Sequence, residues 1–374
     1  MKPSFLLFSI SLLVANSLFS QSCLPEGIIF KRQSQIDSFP IIYPTCSIIE
    51  GNVEINGTDY PIVDLSALSG IQEIRRSLKI INCDSLINLH GLEQLHFIGL
   101  YLLIQNNFQL NSIAELNSLD SIYTYIEITD NWHLANLYGL DKIKSLRLGN
   151  KIINNHSLKN LNGLNDLSIL DGNLTISNDS LINLVGLDSL KTITGNLEII
   201  GNSRLTNLLG LSSLITVDQD LKILSNPHLT LLQGISNLKE IGRSLDIQNN
   251  DSLSDCAIYP ICQHLLNGGL SNIHNNLHGC NTTDEVVAQC VTATQSPGVT
   301  EDLFIFPNPT YDRIDITFLL TYPKSFSFID LSGKLLKNWP GASSSLDISE
   351  FTPGMYILNI QFENQQVNRR VIKL

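Results

Sequence analysis

A glycine–leucine pair returns through the middle of the chain at an almost fixed interval. Gly91, Gly139, Gly163, Gly186, Gly210 and Gly234 share one column, with Glu115 standing between the first two, and successive spacings are 24, 24, 24, 23, 24 and 24. Leucines keep the same beat: Leu86, Leu110, Leu134, Leu158, Leu181, Leu205, Leu229 and Leu253 stand in one column. A period in this range predicts a solenoid, because one turn cannot bury its own leucines while stacked turns share a continuous core.

Each turn carries a short alternating run, such as "SLKII", "YLLIQ", "YIEIT", "NLEII", "DLKIL" and "SLDIQ". Alternation at period two reads as a strand with one buried face. Parallel strands stacked about 4.8 Å apart make eight or nine turns a rod roughly 40 Å long. Three residues before the leucine column stand Cys83, Asn107, Asn131, Asn155, Asn178, Asn202, Asn226 and Asn250. A buried asparagine in each turn can satisfy the backbone leaving the strand. Cys83 is then a small buried substitute, since leucine-rich repeats interchange these two residues.

The pattern "G-N-L-x-I-x-x-N-x-x-L-x-N-L-x-G-L-x-x-L-x-x-I", with the opening "CSIIEGNVEI", resembles the receptor L domain and bacterial surface proteins built from the same repeats. The resemblance runs from about Cys46 to Cys290. It implies a leucine-rich-like parallel β solenoid that binds ligands or acts as a scaffold, without catalytic residues. The cysteine-rich modules and membrane span of true receptors are missing, so signalling does not carry over.

The first twenty residues form a separate object. Lys2 precedes the apolar run "FLLFSISLLVA", too short to span a bilayer, and a signal-peptide cleavage is expected near Ser20/Gln21. The rival reading, a lipidated Cys23, fits poorly with Ser20, Gln21 and Ser22 before it. No later stretch is long and apolar enough to be transmembrane. Export permits disulfides among the seven cysteines. Cys23 with Cys46 could staple an N-terminal cap, and Cys256, Cys262, Cys280 and Cys290 belong to a C-terminal cap whose pairing the sequence leaves open. A net charge of −12 repels phosphate backbones and argues against a nucleic-acid partner.

The expected organisation is a signal peptide (1–20), a capped solenoid (21–290), a linker (291–302, "VTATQSPGVTED") and a C-terminal domain (303–374). In the last, "RIDITFLL", "SFSFIDLSGKLLKNW" and "GMYILNIQF" alternate around turns, predicting a small antiparallel Ig-like β-sandwich. The succession "FPNPT", "IDLSGKLL", "LDISEFTPGMYILNI" and "NRRVIKL" resembles the C-terminal sorting domain of type IX secretion cargo. The matching positions are Pro307, Asn308, Pro309, Gly333, Lys334, Gly354, Tyr356 and Lys373. That resemblance implies passage across a bacterial outer membrane, the secretion machinery and a surface sortase as partners, and release or attachment to surface lipopolysaccharide. It also implies O-glycosylation at some D-S-L triplets (Asp84, Asp179, Asp188, Asp251), which otherwise read as turn residues.

Chemistry is sparse. "HNNLHGC" places His274, His278 and Cys280 at a zinc-like spacing, but Cys280 sits among cap cysteines and no fourth ligand is evident. No phosphate-binding glycine loop, calcium loop or "G-x-S-x-G" elbow is present. Neither enzyme activity nor a cofactor or metal is expected. The outward column of the strand ladder reads Lys79, Leu103, Glu127, Lys151, Thr175, Glu198, Lys222, Asp246, a row of cross-strand charge pairs. Tyr101 and Tyr125 share a column, with Tyr123 beside them and Trp132 in the following turn, and exposed tyrosines are favoured binding anchors. The sequence therefore predicts an exported surface protein that binds a protein or glycan. A passive envelope-coat rod is the alternative.

Overall fold

The computed structural model describes residues 21–294 and, further on, 303–306, 308, 310–318, 323–330, 333–341, 343, 345–362 and 366–374. The expected signal peptide, most of the linker, Pro307 and Pro309 lie outside these residues. The first part is a parallel β solenoid. Its main ladder stacks Ile28–Phe30, Val53–Asn56, Leu78–Ile81, Leu102–Gln105, Ile126–Thr129, Ser145–Ile153, Ile169–Ser177, Leu197–Ile200, Leu221–Leu224, Ser244–Gln248 and Leu270–His274. A second flank of short strands, from Gln21–Cys23 through Ser121–Ile122, runs beside it. Three-residue corners separate the flanks in most turns. At Ser145–Ile153 and Ile169–Ser177 the corner itself is extended, and each strand spans both flanks.

Burial follows the alternation. Ile80, Ile104, Ile128, Ile152, Ile176, Ile199, Ile223 and Ile247 point into one core together with the leucine columns. The core is laced by the asparagine ladder, whose bonds reach across turns. Each Oδ1 accepts the backbone N–H of the preceding rung, as from Asn107 to Asn131 (3.2 Å) and from Asn178 to Asn202 (2.7 Å). Each Nδ2 donates to a strand carbonyl of the turn before, as Asn131 to Ile104 (2.9 Å). Asn276, 26 residues after Asn250, is a further rung that the fixed period hides: it accepts the Asn250 N–H at 3.0 Å.

The one short interval in the period has a local cause. Before every rung but Asn178 the chain turns through a left-handed residue: Asn82, Asn106, Asp130, Asn154, Gly201, Ser225, Asn249 and Asn275. Asparagine, aspartate and glycine bear that conformation best. Between Ile176 and Asn178 only Ser177 remains, so the turn of 23 residues has dropped its left-handed residue while keeping its rung. The glycine column answers to a different constraint. At Gly163 (φ +113°) a Cβ would lie 2.0 Å from the Leu137 carbonyl oxygen of the preceding turn, so only glycine fits.

The rod ends are covered. At the N-terminus the helix Gln33–Ile42 buries Ile36 and Phe39, and Cys23 bonds to Cys46. At the C-terminus Cys256 pairs with Cys280, and Cys262 on Tyr259–Leu266 pairs with Cys290 on Thr283–Thr294. Each bridge contributes about 2–4 kcal/mol. The last helix continues to Thr294, so the first residues assigned to the linker belong to the cap.

Cys83 is a free buried thiol whose Sγ lies 3.3 Å from the Ile81 carbonyl oxygen, while its N–H donates to Asn107 at 2.9 Å. Burial pushes this thiol up to about 12, with Asp84 adding to the effect. The unfolded thiol ionises near its ordinary value, so between about pH 9 and 12 the unfolded state holds fewer protons and stability falls as pH rises. The expected contribution is on the order of 4 kcal/mol. Alkaline unfolding of wild type beside Cys83→Ala measures it, and equal slopes would contradict it.

The C-terminal residues form two antiparallel sheets. One contains Leu303–Phe306, Arg313–Phe318 and Ser345–Asp347; the other contains Leu335–Pro340, Ser325–Ile329, Gly354–Gln361 and Gln366–Lys373. Ile314, Ile316, Phe326, Phe328, Leu346, Tyr356, Leu358 and Ile360 fill the core of this sandwich. Mainly β architecture, with a leucine-rich-like solenoid and a small β-sandwich, is thus what the chain adopts.

Candidate functional site

The tyrosine column sits where the corner enters the strand. Tyr101 and Tyr125 are one rung apart, and their rings stack at 4.8 Å with planes 10° apart, matching the rise of the solenoid. Their carbonyls accept the N–H groups of Leu78 (3.0 Å) and Leu102 (3.1 Å), which fixes both backbones to the preceding strand. Burial first, then Tyr101 and Glu127, raise the Tyr125 phenol above its ordinary value, so it keeps its proton as a donor. On the preceding side the column is closed by Ser77, which is buried, and Lys79 approaches the Tyr101 ring at 6.0 Å. Tyr123, 54% exposed, stands at the first corner position with Arg147 over its ring at 4.7 Å.

The next rung departs from the repeat. Its corner residues are Arg147, Leu148 and Gly149, and Leu148 is left-handed (φ 52°) yet 57% exposed. Gly149 occupies the tyrosine column, and a Cβ there would meet nothing within 4 Å. Asn150 occupies a column otherwise held by Leu78, Leu102, Ile126, Leu174, Leu197, Leu221 and Leu245, and it is buried. Its Oδ1 accepts the Ile126 N–H (3.1 Å), and its Nδ2 donates to the carbonyls of Arg147 and Asn173 (both 3.2 Å). In neighbouring turns that strand N–H goes to a backbone carbonyl instead. The side chain of Asn150 thus supplies the acceptor that the backbone provides in those turns. A polar residue in an aliphatic column is the sequence signal for this rung.

Trp132 does not join the tyrosines. It lies beyond the opposite end of the strand Ile126–Thr129, just after a ladder asparagine, and contacts Phe108 (5.5 Å) and His156 (4.5 Å) in its own row. His156 in turn meets Asp179 at 2.9 Å. The predicted patch is therefore two aromatic rows on two edges of the ladder. Between them the outward column is largely self-paired: Lys79 with Glu54 (3.8 Å), Lys151 with Glu127 (3.5 Å), Lys222 with Glu198 (2.8 Å). Such exposed pairs contribute little to stability, typically under about 1 kcal/mol each. The zinc-like triplet loses its thiolate, because Cys280 is bonded to Cys256 and His278 faces Glu285 at 3.3 Å. Among the D-S-L triplets, Asp188 is held in its turn by the Gly186 N–H (2.8 Å).

The described sorting-motif residues organise the end of the chain. Asn308 donates through Nδ2 to the Arg370 carbonyl (2.7 Å) and accepts the Ile372 N–H on Oδ1 (2.8 Å). Thr310 pairs with the same strand through Ile372 O and Leu374 N (both 2.8 Å). The Lys373 ammonium is buried against the Tyr311 carbonyl and Asp312 (3.2 Å). Gly333 and Lys334 close a turn on Asp330, Gly354 pairs with Lys373, and Tyr356 stacks on Phe328 at 4.7 Å with its hydroxyl on the Thr352 carbonyl.

Two segments of the chain match known families. Residues 45–113 match the model of the Receptor L domain, and residues 304–374 match that of the Secretion system C-terminal sorting domain. Neither family is enzymatic, and no curated protein matches the chain. Among the described residues no helix is long and apolar enough to cross a membrane. The asparagine rungs continue beyond the matched segment through Asn276, so the rest of the solenoid repeats the same unit. The chain thus carries a receptor L-domain segment within its solenoid and a type IX secretion C-terminal sorting domain at its end, and it is a secreted or cell-surface protein that engages that secretion machinery.

Proposed function

We propose that the solenoid is a noncatalytic binding module, displayed on or released from the cell surface after the C-terminal domain has routed it there. The tyrosine pair carries this reading: two stacked rings stand at a strand edge where the rest of the outward face neutralises itself. Aromatic anchors of this kind supply contact area at low entropic cost. In this reading residues 1–20 are removed on export, 303–374 form the sorting unit, and a surface sortase cleaves between solenoid and sandwich. The self-paired charge row supports a second reading, a passive coat rod.

The two separate on one screen. The exported protein is titrated against matrix proteins, peptides and glycans, and its assembly is followed by light scattering. Saturable binding by monomeric protein is the expected result. Ordered self-assembly with no saturable ligand would replace the binder with the coat.

A further inference from the structure

Resting on the binding reading above, we infer that the rung at Gly149 is a ligand notch, and that it takes a pyranose ring of a glycan. The tyrosine column is a ring stack broken off in the middle. Tyr101 covers one face of Tyr125, and the other face looks toward the next turn, where Gly149 supplies no side chain and the space is open. The column resumes at Asn173, paired in register with Gly149. From the Tyr125 rung to the Asn173 rung is two strand spacings, about 9.6 Å.

That width decides between ring types. A flat aromatic ring in contact with both walls needs about 3.5–4.0 Å on each side, or about 7–8 Å in all. A puckered sugar ring is thicker and fills the gap better. The walls match a sugar's two kinds of surface. Tyr125 presents an aromatic face to an apolar C–H face, and Leu148, next to Gly149 in the chain, is an exposed apolar side chain. Asn173 stands opposite with its Oδ1 held by the Asn196 N–H (2.8 Å), and its Nδ2 has no partner among the described residues. Two residues along the strands, Glu127, Lys151 and Thr175 form a polar border on the outward face, with Lys151 on Glu127 (3.5 Å) and the Thr175 hydroxyl on Glu198 (3.1 Å). An aromatic side chain would have no use for that polar border.

The notch is also built rather than incidental. Leu148 holds a left-handed backbone that leucine rarely adopts, and buried Asn150 replaces the aliphatic side chain that every neighbouring turn places there. Strained backbone and a buried polar bracket at one rung are features that cluster at ligand sites. Both lie directly beside Gly149, on either side of it in the chain.

The test fills the space. Gly149→Tyr adds a third ring to the stack at a position with room for a Cβ, so the variant is expected to unfold at the wild-type midpoint or above. On an array of hexose-, N-acetylhexosamine- and deoxyhexose-terminated oligosaccharides, the wild-type exported protein is expected to bind. Gly149→Tyr loses at least about tenfold in affinity, and Gly149→Ala stays within about twofold. Tyr125→Ala, which removes the wall, gives the same loss as Gly149→Tyr by the opposite route. Glycan binding untouched by Gly149→Tyr and Tyr125→Ala would overturn the notch and leave the binder reading standing. Loss confined to a peptide or protein ligand would overturn the sugar assignment. No saturable ligand for wild type would overturn the notch together with the binder reading.

Discussion

Asn155→Ala is expected to destabilise the solenoid by about 3–5 kcal/mol. The Asn155 Oδ1 accepts from the Asn131 N–H (3.2 Å) and Nδ2 (3.1 Å), and its Nδ2 donates to the carbonyls of Ile128 (2.9 Å) and Ile153 (3.1 Å). Alanine leaves the Asn131 N–H and the Ile128 carbonyl in a dry core without partners, each costing about 1–3 kcal/mol, and a cavity adds to that. Because each turn touches only its neighbours, the damage falls on the interface between two turns in mid-rod. Asn154→Ala, one residue earlier and exposed, is expected to cost about 1 kcal/mol, mainly through its left-handed backbone. Urea unfolding followed by circular dichroism measures both. A loss below about 1 kcal/mol for Asn155→Ala would mean that the ladder is not what holds the turns together.

Deletion of 303–374 is expected to trap the protein in the periplasm, with essentially none reaching the surface or the medium. The sorting domain is a folded sandwich whose last strand is locked at its free edge by Asn308 and Thr310 and anchored by buried Lys373. An unpaired strand edge invites wrong pairing, and the clamp covers part of this one. Asn308→Ala removes the side-chain clamp while Thr310 keeps its backbone bonds, and a partial export defect is the expected outcome. Cell fractionation with immunoblotting measures both variants. Normal surface arrival of the deletion would show that another segment carries the export signal.

The stacking of the turns is legible in the sequence because it depends on side chains repeated in register. Leucine and asparagine columns specify burial and the bonds between turns, and the motif order around "FPNPT" and "LSGK" points to the sandwich. The interval of 23 can be counted, but its cause emerges only where Ser177 lacks a left-handed successor before Asn178. Cap pairing is illegible because Cys256, Cys262, Cys280 and Cys290 lie outside the period, where helix packing sets which sulfurs meet. The same holds for Asn276, pushed to a 26-residue interval by the cap. At the edge of the ladder the repeat places Tyr101 and Tyr125 in one column, where their rings stack. Proximity along the chain groups Trp132 with them, although a strand of four residues separates the two edges. The notch is hard to read for a physical reason: a glycine in a tyrosine column is an absence, and Asn150 reveals its purpose only through its bonds.

Hydrogen–deuterium exchange of the full exported protein, with and without the tightest glycan from the array, tests the central claim most directly. Binding at the tyrosine stack predicts slowed exchange in the corners and strand starts around Tyr101, Tyr125, Gly149 and Asn173, with the row of Phe108, Trp132 and His156 unchanged. Protection confined to that second row, or spread evenly along the rod, would contradict a ligand site built on the interrupted stack.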